Sequence, residues 1–576
     1  MIKGYYQREL NRLRELAAEF TRSHPALAPM LSGPSQDPDV ERLLEGTAFL
    51  SGLIHQKLDD DFPEVIQGLM RMIFPHYLQP IPSTTIVAFS PQPGLTKDLY
   101  VPKGCALASV PVEGTNCIFQ TCSDVRVQPI RIAGATINQQ PGRVSLLTIR
   151  FELIGVQLNN WQPSTIRLHF GGPYPEAASL WNLFYRYVDR LTISAEKGSK
   201  LNLSRECLKP VGLDNTEALF PYPSHAFPGY RVVQEYFALP EKFLFIDITG
   251  LQAWTNRGER EEFEIAFVFK ELPPDLPPIK KESFVLFAAP AINLFNFDAD
   301  PIVLDSRQTE YPVVPSGTTR NHYQVYSVNR VTGYAGGNTG RREYGAFELF
   351  AQRDPDVPLY TIQQRVSVTD QRPEVLLSVV YPPGARVFPK ETLSIELLCT
   401  NASLPINLQY GDISQPTSTS PNMCTFKNIR VPTAPIQPPL GHNLLWRFLS
   451  HVSLNLMTLA NAENIKTLLR LYLFPETRDR SEILANERRI EGITDLTTKI
   501  GNRLIAGINM RGQEFNLQVN ANHFASRGDV VLFGMIMDYF LGTYASINSF
   551  THLKVRDTVR GEIIEWKARL GDRPLI

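Results

Sequence analysis

The sequence predicts a multidomain α+β protein, with a helical N-terminal segment, β-rich middle domains and a mixed α/β C-terminal domain. Three observations predict it. The chain has 576 residues, which at ~150 residues per domain is room for about four domains with separate cores. Proline supplies 45 of those residues, about 8% against a background of ~5%. Because proline breaks helix interiors and collects at turns and strand ends, the middle of the chain should be rich in strands and loops. The apolar periodicity also changes along the chain, from helical to alternating and back to helical.

Residues 1–80 form the helical segment. Tyr6, Leu10, Leu13, Ala17 and Phe20 stand at i, i+4, i+7, i+11 and i+14, the spacing of a heptad seam, with Arg8, Arg12, Glu15 and Glu19 on other faces. His24-Pro25 and Ala28-Pro29 end that helix. Asp37-Pro38 starts the next, a capping carboxylate followed by proline at the first helical position. Val40, Leu43, Leu44, Thr47 and Ala48 are its expected buried face. Asp59-Asp60-Asp61 place three acids before a short third helix that opens at Pro63, carries Val65, Ile66, Leu69, Met70 and Ile73, and closes at Phe74-Pro75.

A β-rich domain over 81–170 follows, with strands at Thr85–Phe89, Ile118–Phe119 with Val125–Val127, and Leu146–Leu153. A mixed α/β domain spans 171–278. Its helix runs from Pro175 to Asp189, and a second helical period (Val232, Val233, Tyr236, Phe237) stops at Pro240. The apolar run Phe243–Ile248 that comes next reads as a strand buried on both faces. A second β-rich domain covers 279–410. Residues 411–440, with Thr417–Pro421 and Pro432, Pro435, Pro438 and Pro439, read as an exposed linker. The C-terminal α/β domain, 441–576, has helices at Leu444–Leu454, Asn464–Leu473 and Asp529–Tyr544, then strands at Phe550–Val555 and Glu562–Trp566.

Composition narrows the function. Lys+Arg is 57 and Asp+Glu 58, a net charge of -1, which argues against a protein that chiefly neutralises nucleic-acid phosphates. Hydrophobic residues are 43% and charged residues 20%, ordinary for globular chains and wrong for disorder. The N-terminal residues are polar, with no apolar signal region, and the longest apolar runs, Phe284–Phe295 and Val530–Leu541, are too short for a membrane span. The expectation is a soluble, cytoplasmic chain. Cys105, Cys117, Cys122, Cys207, Cys399 and Cys424 show no paired motif and read as buried thiols.

No chemical motif stands out. No phosphate loop, zinc-protease helix or nucleophile elbow occurs. Gly333–Arg342 is glycine-rich with two arginines, and reads as a surface hairpin more than as an anion cradle. Ten histidines are scattered singly and give no zinc set. Asp298, Asp300 and Asp305 lack the glycine and glutamate of a calcium loop. Glu235 and Glu241 are a carboxylate pair of the kind that hydrolyses glycosides, but Arg231 and Lys242 stand near enough to be ion-pair partners instead. The residues therefore predict no catalytic, cofactor or metal site.

Several segments, in order along nearly the whole chain, resemble one family. They are Tyr5-Tyr6-Gln-Arg-Glu-Leu10-Asn-Arg-Leu13, Asp37–Gly46 and Lys57–Pro63, then Gly229–Phe243. Pro290–Phe295, Leu398–Asn401, Leu445-Trp446-Arg447 and Ala545–Phe550 follow. These blocks resemble the TssF (VasA/ImpG) family, baseplate subunits of the bacterial type VI secretion system; the valines of the Tyr230 block stand where leucines are expected. The resemblance implies a fold similar to contractile-phage baseplate wedge proteins and a structural role without catalysis. It implies two copies of this chain per TssG-type subunit, joined by TssK- and TssE-type subunits around a VgrG spike to nucleate tail-tube and sheath growth. It also implies docking on the inner-membrane secretion complex, with neither nucleic acid bound nor direct membrane insertion. A β-rich carbohydrate-active hydrolase and a free-standing binding module are the alternatives. Tyr6, Leu10, Leu13, Ala17 and Phe20 are the candidate partner interface, and packing of the same stripe on the chain's own second helix is the competing expectation.

Overall fold

In the computed structural model the chain divides into two compact units, Met1–Ile73 with Leu440–Ser450, and Phe74–Pro439 with His451–Ile576. The structure describes residues 2–571 apart from 24–37, 60–62, 139–144, 197, 199, 224–225, 306, 318, 336–339, 348–355, 368–371, 383–384, 386–389, 441–443, 453–460, 474–479 and 506.

The first unit is helical: α1 (Ile2–Ser23), α2 (Pro38–Asp59) and α3 (Pro63–Ile73), with the start of the helix Leu444–Val452. Pro38 and Pro63 each occupy the first helical position, where a missing N–H costs no hydrogen bond. The helices α1 and α2 pack together. Small residues set their approach: a Cβ on Gly52 would lie 3.1 Å from the Tyr6 backbone nitrogen, and Ala48 is fully buried. An ion pair from Arg14 to Glu41 spans the two helices.

The second unit holds the sheets. One antiparallel sheet has six strands in the order Ile413–Pro416, Ala106–Val112, Thr115–Thr121, Ala288–Ile292, Thr84–Pro91 and Cys424–Asn428. Its outer strands meet through Asn428, which accepts hydrogen bonds from the Ile413 N–H at 2.9 Å and the Gly411 N–H at 3.1 Å. This sheet corrects the expected division. Its strands come from the 81–170 and 279–410 segments and from 411–440, which is no linker: Ile413, Phe426 and Ile436 are buried, and Ile436 exchanges backbone hydrogen bonds with Ile81 at 2.8 and 2.9 Å. Strand pairing joins residues hundreds of positions apart, and composition carries no trace of that. Prolines at extended edges fit such a strap as well as they fit a linker.

A five-stranded and a four-stranded sheet complete the middle. The four-stranded one contains Phe245–Thr249, where Phe245, Ile246 and Ile248 are buried as the continuous apolar run requires. The helix Tyr174–Asn182 runs into a π turn at Leu183–Tyr187, and the chain is already a strand at Val188, so it is shorter than its periodicity suggests. An eight-stranded sheet over Phe295–Thr400 has its core on Val331, Leu377, Leu393, Ile395 and Leu397.

At the C-terminal end the helix Arg527–Gly542 is buried along most of its length and packs on the helices Tyr174–Asn182 and Pro228–Ala238. Glycines allow this. A Cβ on Gly528 would fall 2.0 Å from the Ala178 carbonyl oxygen, and one on Gly229 2.6 Å from Thr543 Oγ1. Two elements were not foreseen, the helix Arg480–Glu491 and the long hairpin of Ile493–Ile505 with Ile508–Val519. The strand Ser549–Asp557 pairs parallel to the second arm of that hairpin.

Candidate partner interface

The α1 stripe lies where α2 packs. Leu10 and Ala17 are buried, Tyr6 and Leu13 are half-buried, and of the five residues only Phe20 is exposed, at 47%. The α2 face differs from its expected form. Ala48 is buried and Val40 and Leu44 are half-buried, but Leu43 is 71% exposed and Thr47 is exposed, its hydroxyl donating to the Leu43 carbonyl. The reason is that the middle of α2, residues 46–54, carries no charged side chain on any side, so hydrophobic spacing cannot say which side meets α1. Its outward side presents Leu43, Leu50 and Ile54, seven and four residues apart, with Phe49 and Leu53 beside them, all exposed. These three aliphatic side chains keep heptad spacing and are exposed.

The carboxylate candidates go the other way. Glu235 is wholly buried in the helix Pro228–Ala238. It accepts hydrogen bonds from Arg231 Nη1 at 3.1 and 3.2 Å, from the Leu219 N–H at 2.7 Å, and from the Lys242 ammonium. Arg231 Nη2 also donates to the Leu213 carbonyl and to Asn215 Oδ1. Burial holds the Lys242 ammonium below its ordinary pKa, with the Glu235 charge opposing the shift. Glu241 pairs instead with Arg430 at 2.9 Å. These carboxylates hold segments together. A second buried acid, Asp529, accepts from the Tyr174 and Tyr236 hydroxyls and from Arg489, and so joins four helices.

The remaining candidates are also structural. His169 is buried, with Nδ1 3.1 Å from the Leu244 carbonyl oxygen, and burial together with the Arg430 charge lowers its pKa to about 3. Burial pushes the thiols of Cys117 and Cys424 up to about 11 and those of Cys122 and Cys399 up to about 12, far from a reactive thiolate. Arg342 of the glycine-rich stretch is bound to Glu391 and Tyr344, while Gly336 and Gly337 lie outside the described residues. Among the described residues no three His, Cys, Asp or Glu side chains come together to hold a metal, and no helix is long and apolar enough to cross a membrane.

Residues 1–573 match the model of the family described as type VI secretion system, TssF. This chain belongs to the TssF family. It is 31% identical to the type VI secretion system component TssF1 of Pseudomonas aeruginosa, over 99% of this chain and 98% of that one. Its fold superposes with a TM-score of 0.75 on a chain of the type VI secretion system TssK-TssF-TssG baseplate subcomplex solved by cryo-electron microscopy, at 26% identity over 92% of this chain and 99% of that chain. A chain of another type VI baseplate complex shares the fold over the full length, with a TM-score of 0.66 and 24% identity. The chain is thus a component of the type VI secretion baseplate, and the α+β architecture expected for a wedge protein is the one it has. Sequence reasoning found the helical unit but missed its outward face. The signal was there in Leu43, Leu50 and Ile54, which keep heptad spacing on α2.

Proposed function

We propose that this TssF-family chain is a wedge subunit whose helical unit docks a TssG-type subunit, with TssK-type subunits in the same assembly. The likeness to a chain from a subcomplex described as TssK-TssF-TssG carries this reading. The exposed row Leu43, Leu50 and Ile54, with Phe20 on α1, supports the placement of the interface. In this reading Tyr6, Leu10, Leu13 and Ala17 shape the hairpin from within, and Phe20 and the α2 row meet the partner. Two such chains per TssG-type subunit, with TssE-type subunits around a VgrG spike, would nucleate tube and sheath at the inner-membrane secretion complex. The chain acts by assembly and not by catalysis, since the carboxylates a glycosidase reading requires are committed to ion pairs.

Co-purification with a tagged TssG-type subunit tests this. Leu50→Asp should lose the partner while thermal unfolding of the free chain stays as in the wild type. Leu13→Asp should lower soluble yield first, because an unpaired carboxylate on the packed face is costly to desolvate. A Leu50→Asp chain that still co-purifies in stoichiometric amount refutes the placement.

A further inference from the structure

We infer that Asn293 and Asn401 form a joint that sets the direction in which the eight-stranded domain, residues 295–400, leaves the six-stranded sheet, and that this joint opens while both cores stay folded. The two asparagines flank the domain. The chain enters it after Asn293 and leaves it before Asn401, and its first strand, Phe295–Asp298, pairs with its last, Glu391–Thr400. Both asparagines lie in segments that carry the family resemblance, Pro290–Phe295 and Leu398–Asn401. In the six-stranded sheet the ladder between Ala288–Ile292 and Thr115–Thr121 ends at Ile292, opposite Gln120. Side chains take over from there. Ile118 donates its N–H to Asn401 Oδ1 at 2.9 Å, and its carbonyl accepts from Asn293 Nδ2 at 2.8 Å. The asparagines also grip each other: Asn293 Nδ2 donates to Asn401 Oδ1 at 2.8 Å, and Asn293 Oδ1 accepts from the Asn401 N–H at 2.7 Å. Both are wholly buried, so a bond lost here leaves a polar group without water to replace it.

Two further observations say that this joint, and not a shared core, directs the domain. The apolar cluster around Val331, Leu393 and Leu397 draws all its buried members from residues 295–399. Among the described residues, Ile118 is the one from outside the domain that packs against that cluster. The residue the asparagines grip by its backbone is thus also the plug that enters the domain's core. A domain with its own core can move as a body. The other side-chain hydrogen bonds that tie it to the rest of the chain, among the described residues, are polar contacts at its edge. His322 Nδ1 lies 2.7 Å from Thr115 Oγ1, with Nε2 3.5 Å from the Glu113 carboxylate. Gln324 and Gln437 exchange hydrogen bonds at 2.6 and 3.0 Å, and Tyr326, buried outside the cluster, donates to Gln79 Oε1 at 2.8 Å. Contacts of this kind trade against water at little net cost, which is the setting for rigid-body motion about a short connection.

The test is a pair-distance measurement by electron paramagnetic resonance on the full chain. Spin labels go on Val303→Cys in the domain and Val431→Cys beside the six-stranded sheet, both exposed positions. Cys207→Ser removes the native thiol that is not buried. With both asparagines intact the labels should show one narrow distance. Asn293→Ala together with Asn401→Ala should broaden it or add a second distance, and hydrogen exchange at Ile118 should quicken about tenfold or more. Exchange in the strands Gln324–Ala335 and Glu391–Thr400 should stay as in the wild type, which a loss of the domain's own fold would not allow. Native-state exchange of the wild type in rising urea tests the same joint without a substitution, so a double variant that fails to fold leaves the inference exposed to refutation. There the Ile118 and Asn401 amides should open before the strands Glu391–Thr400 and Thr84–Pro91. Four results each overturn the inference: an unchanged narrow distance in the double variant, a broad distance with both asparagines intact, loss of protection through the domain's core strands, or joint amides that open only together with a core.

Discussion

Replacing Glu235 by glutamine changes one atom and should unsettle the middle of the molecule. The carboxylate has two oxygens and four donor contacts. Oε1 takes Arg231 and the Leu219 N–H, and Oε2 takes Arg231 and Lys242. A glutamine amide has one oxygen and one NH2 group, so in either orientation Leu219 or Lys242 faces a donor. Arg231 and Lys242 then remain fully buried with no anion between them. Breaking a buried pair in this way costs about 3–5 kcal/mol, which is about a hundredfold or more in the local opening equilibrium. Hydrogen exchange of peptides covering residues 213–245 reads this directly, without requiring the whole chain to unfold in one step.

The pH dependence supplies a second check. Lys242 already has a lowered pKa in the folded chain, so the unfolded chain binds its proton more tightly. Stability from this group is complete above the ordinary lysine value and is lost as pH falls through the folded value. Without the Glu235 charge the folded value falls further, so the deficit of the variant should shrink as pH rises from 7 towards the ordinary lysine value. Wild-type exchange in this region, or a deficit that does not change with pH, would refute the reasoning.

Other outcomes follow from the same geometry. His169 is held neutral, with a folded pKa of about 3 against ~6.5 unfolded; stability is complete above pH ~6.5 and should fall by about 1.4 kcal/mol per unit on acidification towards 3. Unfolding midpoints between pH 7 and 4 measure this, and His169→Gln should flatten the profile. Gly528→Ala should cost about 1–3 kcal/mol, because its methyl would meet the Ala178 backbone and not a movable side-chain end; thermal unfolding checks it. Gly46→Ala, with open space around the added atom, should instead stabilise α2 by about 0.5–1 kcal/mol, seen as a rise in helix melting temperature. Limited proteolysis should spare residues 411–439, since Ile413, Asn428 and Ile436 are locked into the sheet; early cleavage there would contradict the strap.

What the sequence determined by itself was mostly local. Proline at the first turn placed the starts of α2 and α3, and apolar spacing found the helices Pro228–Ala238 and Arg527–Gly542 to within two residues. Charge spacing placed Arg231 beside Glu235, because an i, i+4 pair on a helix is adjacent by geometry alone. Lys242 was within reach for the same reason of closeness along the chain. The tertiary structure decided everything that depends on distant partners. It drew 411–440 into a sheet with strands more than 300 positions earlier, paired Glu241 with Arg430, and turned α2 so that Leu43 faces solvent while Ala48 faces α1. It also closed Asn293 and Asn401 on one residue, Ile118. Periodicity fixes which residues share a face, but what that face meets is a choice among non-local contacts, whose free energies are comparable and which no local pattern ranks.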